Sequence, residues 1–381
     1  MTLVIEDTAR NNLASWAIEA VQAATATGAV LSPFSTPRVS NNYKQSAQQT
    51  VQRLQGEGVV VWFDAETHAL QMPSVGDFRY YDGWPLWSGQ RGTLADTGDM
   101  RDHVERVFAE QDRLGVPHLG PTSLLHSPQS AASQLALDLA QVANELDPNA
   151  RLAIAGDSAF WASGTNLDAH VGAVAQLEPP GWSLSVVRSF TVLAVPAMAE
   201  EVHGLCRTAR ALSEDSEVHI SHGDLAGLPA IAAGATTLGT GWDPRQRVSA
   251  YASYEARSTG GDGGQWFQQT TLEGLLSLLV RSEATLLYQQ DQSLASRLLP
   301  GTVPPGAKEA FFHHADVLAR VVSGLRSNDA QGAYVDLHDR YDAARNDWAA
   351  VANLIGVTSR ASNWLSGPSD GLDRYGQTEG L

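Results

Sequence analysis

The stretch 217–247, EVHISHGDLAGLPAIAAGATTLGTGWDPRQR, limits the fold more than any other part of the chain. It reads as strand, short helix, strand. Val218, Ile220 and the run 236–238 are short, apolar or β-branched, as strands prefer. Residues 225–233 have the small-residue composition of a helix, and Gly234 stops it. Polar side chains gather at the two strand exits: His219, His222 and Asp224 at the first, and Trp242, Asp243 and Arg245 at the second.

A unit of this kind suits the closing quarter of a (βα)8 barrel, where chemistry collects at the C-terminal ends of the strands. The same alternation runs back through the chain, with strands expected near residues 30, 60, 118, 153, 184, 219 and 237. The expected fold is α/β: a TIM-like (βα)8 or irregular (βα)7 barrel with a helical C-terminal region. An eighth strand falls either in 190–196 or in the long insertion 68–98. Residues 7–27 have helical spacing and are expected to flank the barrel.

The barrel is expected to occupy 1–258, including that N-terminal helix and the insertion. Ser258 and the TGGDGG run at 259–264 mark a boundary. A helical region follows over 265–366, with helix-spaced apolar residues in 272–287, 307–325 and 331–355. From Gly367 onward the chain is polar and Gly-rich, so 367–381 is expected to be a flexible tail.

Composition narrows the function classes. With 381 residues, 43% of them hydrophobic, the chain can bury a large core. A formal net charge of −17 opposes broad nonspecific nucleic-acid binding. Lys44 and Lys308 are the only lysines, and neither follows an expected strand, which argues against Schiff-base chemistry. Cys206 is the only cysteine, so neither an intrachain disulfide nor a cysteine zinc cluster can form. The N-terminus lacks a basic segment followed by an apolar core, and no run of about 18 apolar residues occurs. A cytoplasmic location with no membrane contact is therefore expected.

Carboxylates at strand exits are the candidate catalysts. VVVWF at 59–63 leads into Asp64 and Glu66, two positions apart and able to share a side. Either is a base, a nucleophile or a hydroxyl-binding group, or else the pair belongs to a turn or helix cap. Asp157 ends the strand near 153, and Asp243 follows the last strand. The candidate catalytic set is Asp64, Asp157 and Asp243, with His222 assisting. Candidate substrate-binding residues are Glu66, Arg188, His219, Asp224, Gly239, Gly241, Trp242 and Arg245. Arg188 either orients an anionic group or forms a salt bridge. Gly239-Thr240-Gly241, followed by Arg245 and Arg247, is either an anion-binding turn or a simple tight turn. His219, His222 and Asp224 are metal-ligand types, but strand alternation pairs His219 with Ser221, and no metal is assigned. Tyr80, Tyr81, Trp84 and Trp87 in the insertion form either a lid over substrate or a plug on the rim. Walker, GxSxG and HExxH motifs are absent.

The pattern HGDLAGLPAIAAGATTLGTG resembles the strand 7–strand 8 portion of phosphate-binding flavin barrels. Extended to HISHGDLAGLPAIAAGATTLGTGWDPRQR, it is also similar to the corresponding part of tRNA-guanine transglycosylases. The likeness is at the level of fold. Where those transglycosylases carry an Asp nucleophile this chain has Gly239, the nearest Asp being Asp243, and their cysteine-rich zinc site has no counterpart here. The expected function is a barrel-mouth carboxylate enzyme acting on a small polar, ring-containing substrate, by glycosyl or base transfer or by hydrolysis. One alternative is a non-catalytic binding or assembly module, as a homo-oligomer or with a protein partner. A second is a flavin or phosphate-ligand barrel enzyme. No cofactor is assigned.

Overall fold

The computed structural model describes residues 3–7, 13–72, 75, 80–254 and 269–381. Eight strands form one parallel sheet: β1 (Leu3–Glu6), β2 (Gly28–Leu31), β3 (Val60–Phe63), β4 (Leu124–Leu125), β5 (Leu152–Asp157), β6 (Gly181–Val187), β7 (Glu217–Ser221) and β8 (Thr237–Thr240). Their spatial order is β3-β2-β1-β8-β7-β6-β5-β4, with every neighbouring pair parallel. This is the cyclic order of a (βα)8 barrel opened between β3 and β4.

The eighth strand is therefore β1, at the N-terminus, and neither 190–196 nor the insertion supplies it. Val4 pairs with Gly28 on one side and Gly239 on the other, so β1 joins the first and last strands of the curl. The helical spacing expected over 7–27 belongs to α1 (Leu13–Gln22), which connects β1 to β2.

Helices α2 (Ala47–Gly56), α3 (Thr97–Leu114), α4 (Ala131–Leu146), α5 (Ser158–Trp161), α6 (Thr165–Ala175), α7 (Ala199–Leu212), α8 (Leu228–Ala232) and α9 (Pro244–Arg247) complete the alternation. Their starts follow ordinary capping chemistry. Ser46 and Gln49 form a capping box on α2, and the Asp96 and Ser130 side chains cap α3 and α4.

The opening between β3 and β4 is closed by a side chain. Gln111 of α3 is fully buried and donates to Phe63 O and Leu119 O, 2.9 Å each, while its Oε1 accepts from Leu119 N at 3.3 Å. It thus supplies the donors and acceptor that a neighbouring strand would, and leaves no orphaned backbone group at those positions. The edge also explains why VVVWF is not uniformly buried: Val60 is 47% exposed.

The aromatic insertion packs onto this rim. The Trp84 ring lies 4.7 Å from Phe63, and its Nε1 donates to Thr36 O. Tyr81 lies 4.5 Å from Phe34, and Trp87 stacks on His103 at 3.8 Å. Tyr81 and Trp84 are buried, as a plug requires.

Beyond the barrel come an antiparallel hairpin, β9 (Gln269–Leu272) and β10 (Ser277–Val280), and helices α10 (Arg281–Gln290), α11 (Gln292–Leu298), α12 (Ala307–Ser327), α13 (Ala330–Leu354) and α14 (Asn363–Glu379). The boundary expected at 259–264 lies outside the described residues. The expected flexible tail at 367–381 is corrected: it is almost entirely α14, packed on α7 and α13. Its glycines mark close approach. A Cβ on Gly367 would sit 1.7 Å from Ala197 O, and one on Gly371 2.7 Å from Ala199 O. Among the described residues, no helix is long and apolar enough to cross a membrane.

Candidate active site

Because all eight strands are parallel, their C-terminal ends share one rim. Asp64, Asp157, His222 and Asp243 all follow or end strands there, as the sequence suggested. They are not in equivalent states.

The centre of the rim is Glu6, the last residue of β1, which sequence reasoning missed. Its carboxylate is buried, and three donors converge on Oε1: Ser221 Oγ at 3.2 Å, the His222 amide at 3.1 Å and His219 Nε2 at 3.4 Å. Burial alone would raise its pKa, but the charges and hydrogen bonds of His222 and His219 outweigh it and hold the carboxyl below its ordinary value. Glu6 is therefore ionised at neutral pH.

Gly239 makes room for this carboxylate. A Cβ there would lie 2.1 Å from Glu6 Oε1 and 2.7 Å from the His222 amide nitrogen. The space a β8 side chain would fill is thus occupied by the Glu6 carboxylate from the adjacent strand. Gly241 plays the matching part for Gln246, whose amide would lie 2.4 Å from an added Cβ. Fully buried, Gln246 accepts from the Trp242 and Asp243 amides and donates to Glu6 O. The two amides that follow the GTG turn are accordingly spent on Gln246.

Asp64 and Glu66 follow β3. Asp64 Oδ1 accepts from the Glu66 amide at 2.7 Å, and Ser32 and Tyr254 donate to the Glu66 carboxylate. Burial raises the Asp64 pKa, with Glu6 adding to the effect. Glu66 is pushed up further, by burial and then by Asp64. His68, buried beside them, is pushed down to about 3 by burial and by the charge of His222, and is neutral. Two imidazole nitrogens in this cluster, His68 Nε2 and His222 Nδ1, are buried with no hydrogen-bond partner. Glu66 and His222 also adopt left-handed backbone, with φ of 46° and 51°. Strain of this kind in non-glycine residues concentrates at functional sites.

The other candidates are engaged within the protein. Asp157 caps α5, accepting from the Ala159 and Phe160 amides at 3.0 Å, and its second oxygen meets His126 Nδ1 at 2.6 Å. Asp243 caps α9 and pairs with Arg245 at 3.0 Å. Arg188 makes a two-pronged ion pair with buried Glu201 and donates to Ser158 Oγ. Asp224 is held by Arg247 at 2.6 and 2.9 Å, by Thr240 Oγ1 at 2.6 Å and by His314 Nε2 at 2.9 Å. Burial would raise the Asp224 pKa, but Arg247 and His314 drive it well below the carboxylate range. His314, lowered by burial and Arg247, is neutral: Nε2–H donates to Asp224, and Nδ1 accepts from Thr271 at 2.8 Å. Trp242 turns away from the rim, into rings from α1 and α12: Trp16 at 4.7 Å and Phe311 at 5.3 Å. His219 lies beneath Glu6 inside the barrel, its Nδ1 2.9 Å from Thr237 Oγ1.

Two small cavities reach this cluster, one lined by Asp64, His219 and Ser221 and the other by His222, Arg188 and Arg247. Each is about 20 Å³, room for a single water. A polar cleft of about 530 Å³ opens beside Asp7, lined by Thr36, Asn41, Lys44, Gln49 and Arg53. No group of three or more potential metal ligands occurs among the described residues.

Fold and rim together define a parallel α/β barrel with a buried carboxylate–histidine cluster at the strand C-termini. No protein-family model matches the chain, and no curated protein matches it. Solved structures give distant likenesses. A psychrophilic glycoside hydrolase family 10 endo-β-1,4-xylanase is 8% identical with a TM-score of 0.35, over 62% of this chain and 85% of that one. D-allulose 3-epimerase from Methylomonas sp. is 14% identical with a TM-score of 0.32, over 62% and 84%. A probable tagatose 6 phosphate kinase from Sinorhizobium meliloti 1021 is 10% identical with a TM-score of 0.35, over 98% and 99%. Scores this low leave the fold to rest on the strand order itself.

Proposed function

We propose that the rim is an active site for carboxylate catalysis on a small polar, ring-containing substrate, by glycosyl or base transfer or by hydrolysis. The observation that carries this reading is the unlike surroundings of neighbouring carboxyl groups: three donors converge on Glu6 Oε1, whereas Asp64 and Glu66 lie against each other. Glu6 is held ionised by three donors, while burial and the charge of Glu6 raise the pKa of Asp64, and burial and Asp64 raise that of Glu66 further. Environments that drive neighbouring carboxyl groups apart assign a base or nucleophile and an acid. Glu6 attacks the ring carbon, or takes the proton of an attacking water. Glu66, or Asp64 through it, gives its proton to the leaving group, and His222 Nδ1 is free to bind a polar atom of the substrate. His219 and Gln246 position Glu6 from below and behind. Asp157 and Asp243, both spent on helix caps, have less support as catalysts.

A phosphate- or flavin-binding barrel also has less support, because the turn that would hold a phosphate is filled by the Glu6 carboxylate and the Gln246 amide. The binding-module alternative draws on the aromatic plug packed over β2 and β3.

The test is a turnover screen of the full chain on nucleosides and aryl glycosides, with the released base or aglycone followed by chromatography. Turnover should fall by about 10²–10⁴-fold in Glu6→Gln while circular dichroism shows the fold retained. Full activity in Glu6→Gln and Glu66→Gln would overturn the assignment. A wild-type protein that turns over no ring substrate and forms a stable assembly in light scattering would favour the binding module.

A further inference from the structure

We propose that the cleft beside Asp7 is a binding site for a small ring compound that carries a phosphate. The site is separate from the Glu6 cluster and stands whether or not that cluster is catalytic.

The cleft lies beyond the C-terminal ends of β1 and β2, where parallel α/β folds leave room for ligands. Asp7 follows β1, residues 36–45 lie between β2 and α2, and α1 and α2 form the walls. Alternate residues of an extended chain face opposite ways, so Asp7 turns out toward these helices where Glu6 turns into the barrel. The volume of about 530 Å³ is that of a small-molecule site, whereas the cavities at the Glu6 cluster hold one water each.

Hydrogen bonding within the wall leaves the cleft rich in donors. Asn41 Oδ1 accepts from the Tyr43 and Lys44 amides at 2.8 and 2.9 Å. Gln49 Oε1 accepts from Ser40 Oγ at 2.5 Å and from the Ser46 amide at 3.0 Å. With both oxygens taken by the loop, these two side chains have their NH2 groups to offer. Two cations line the same cleft. Lys44 Nζ donates to Ser35 O, and Arg53 Nη2 to Ser15 Oγ at 3.1 Å. Asp7 is the one carboxylate among the described lining residues, and its Oδ2 accepts from the Ser32 amide at 3.2 Å and Thr36 Oγ1 at 2.6 Å. Donors and two cations against one engaged carboxylate complement an acceptor-rich anion, and Lys and Arg are the usual partners of phosphate. Burial lowers the Lys44 pKa, Asp7 opposes this and Arg245 adds to the fall. An anion in the cleft would offset the cost of keeping that ammonium charged.

Tyr43 indicates the rest of the ligand. It lines the same cleft and is 70% exposed, an aromatic face left to solvent beside the cations. A ring stacked on Tyr43 would bury that face while its phosphate reached Lys44 and Arg53.

Calorimetric titration of the full chain tests this, with phenyl phosphate, glucose 6-phosphate and uridine 5′-monophosphate set against phenol, glucose, uridine and inorganic phosphate. At least one phosphorylated ring should bind at a single site, at least tenfold more tightly than its unphosphorylated counterpart and than inorganic phosphate. Lys44→Met and Arg53→Gln should each weaken that binding at least tenfold. Arg53 is exposed, so circular dichroism should show the fold of Arg53→Gln retained. Tyr43→Ser should bring the phosphorylated ring down to the affinity of inorganic phosphate, and Glu6→Gln should leave its binding unchanged. The proposal is overturned if no phosphorylated ring binds, if the unphosphorylated counterparts bind equally well, or if Arg53→Gln binds like the wild type. Loss of binding in Glu6→Gln would place the ligand at the rim cluster and overturn it too.

Discussion

Along the rim, the exits of β5, β6 and β8, together with Asp224 beyond β7, carry carboxylates and cations that satisfy one another, whereas Glu6, Asp64 and Glu66 at the exits of β1 and β3 lie among imidazoles that each keep an unpartnered nitrogen, His68 Nε2 and His222 Nδ1. On the first arc, Asp157, Arg188, Asp243 and Arg245 are tied into caps and ion pairs, and Arg247 with His314 holds Asp224. On the second, Glu6, Glu66 and His68 are buried beside half-buried Asp64 and His222, and His68 Nε2 and His222 Nδ1 have no hydrogen-bond partner. The same residue types thus serve two ends. Paired, they join the barrel to its surrounding helices, Asp224 linking the rim to α12 through His314. In the second arc, burial perturbs the protonation of Asp64, Glu66 and His68 at a cost in stability, which is the usual mark of a reactive site.

Breaking the satisfied arc should have the largest effect. Asp224→Ala leaves Arg247, only 4% exposed, without its counter-charge, and removes the acceptor for Thr240 and His314. The expected loss is about 3–5 kcal/mol in urea unfolding. A loss below about 1 kcal/mol would mean that the clamp is not structural.

Relieving the unsatisfied arc should have a smaller effect of opposite sign. The pKa of Glu66 is raised on folding, so its proton is held more tightly in the native state. Its contribution favours folding below the unfolded carboxyl range and is lost as pH rises through the folded value. At neutral pH Glu66 is therefore a liability, and Glu66→Gln should stabilise the protein by roughly 1 kcal/mol there while lowering turnover. The gain should disappear below about pH 4. Destabilisation at pH 7 would contradict the account of this arc.

The satisfied arc was the more legible in sequence, because its signals are local. The strand–helix–strand unit at 217–247 gave β7, α8 and β8, and strand exits located Asp157, Arg188 and Asp243 on one rim. What stayed hidden was β1. Four residues, LVIE, directly before a helical pattern were too short to stand out, and with them went Glu6. A signal was present: three apolar residues followed by Glu6-Asp7 repeat the logic of VVVWF followed by Asp64 and Glu66. The partnering of Asp224 with Arg247 and His314 was not legible, since His314 lies 90 residues away in α12. Nor was the meaning of Gly239 or of the glycines in α14, where composition suggested turns and looseness and packing required the absence of a Cβ.

The central claim, that Glu6 and Glu66 lie in opposite protonation states within one cluster, is tested most directly by titrating their side-chain carboxyl carbons. The chain would be labelled with ¹³C at glutamate Cδ and followed by NMR from acid to neutral pH, with Glu6→Gln and Glu66→Gln assigning the two resonances. The account predicts that Glu6 ionises below the ordinary glutamate value and Glu66 well above it, so that over an intermediate range one is charged and the other is not. Two resonances that titrate together near the ordinary value would contradict it.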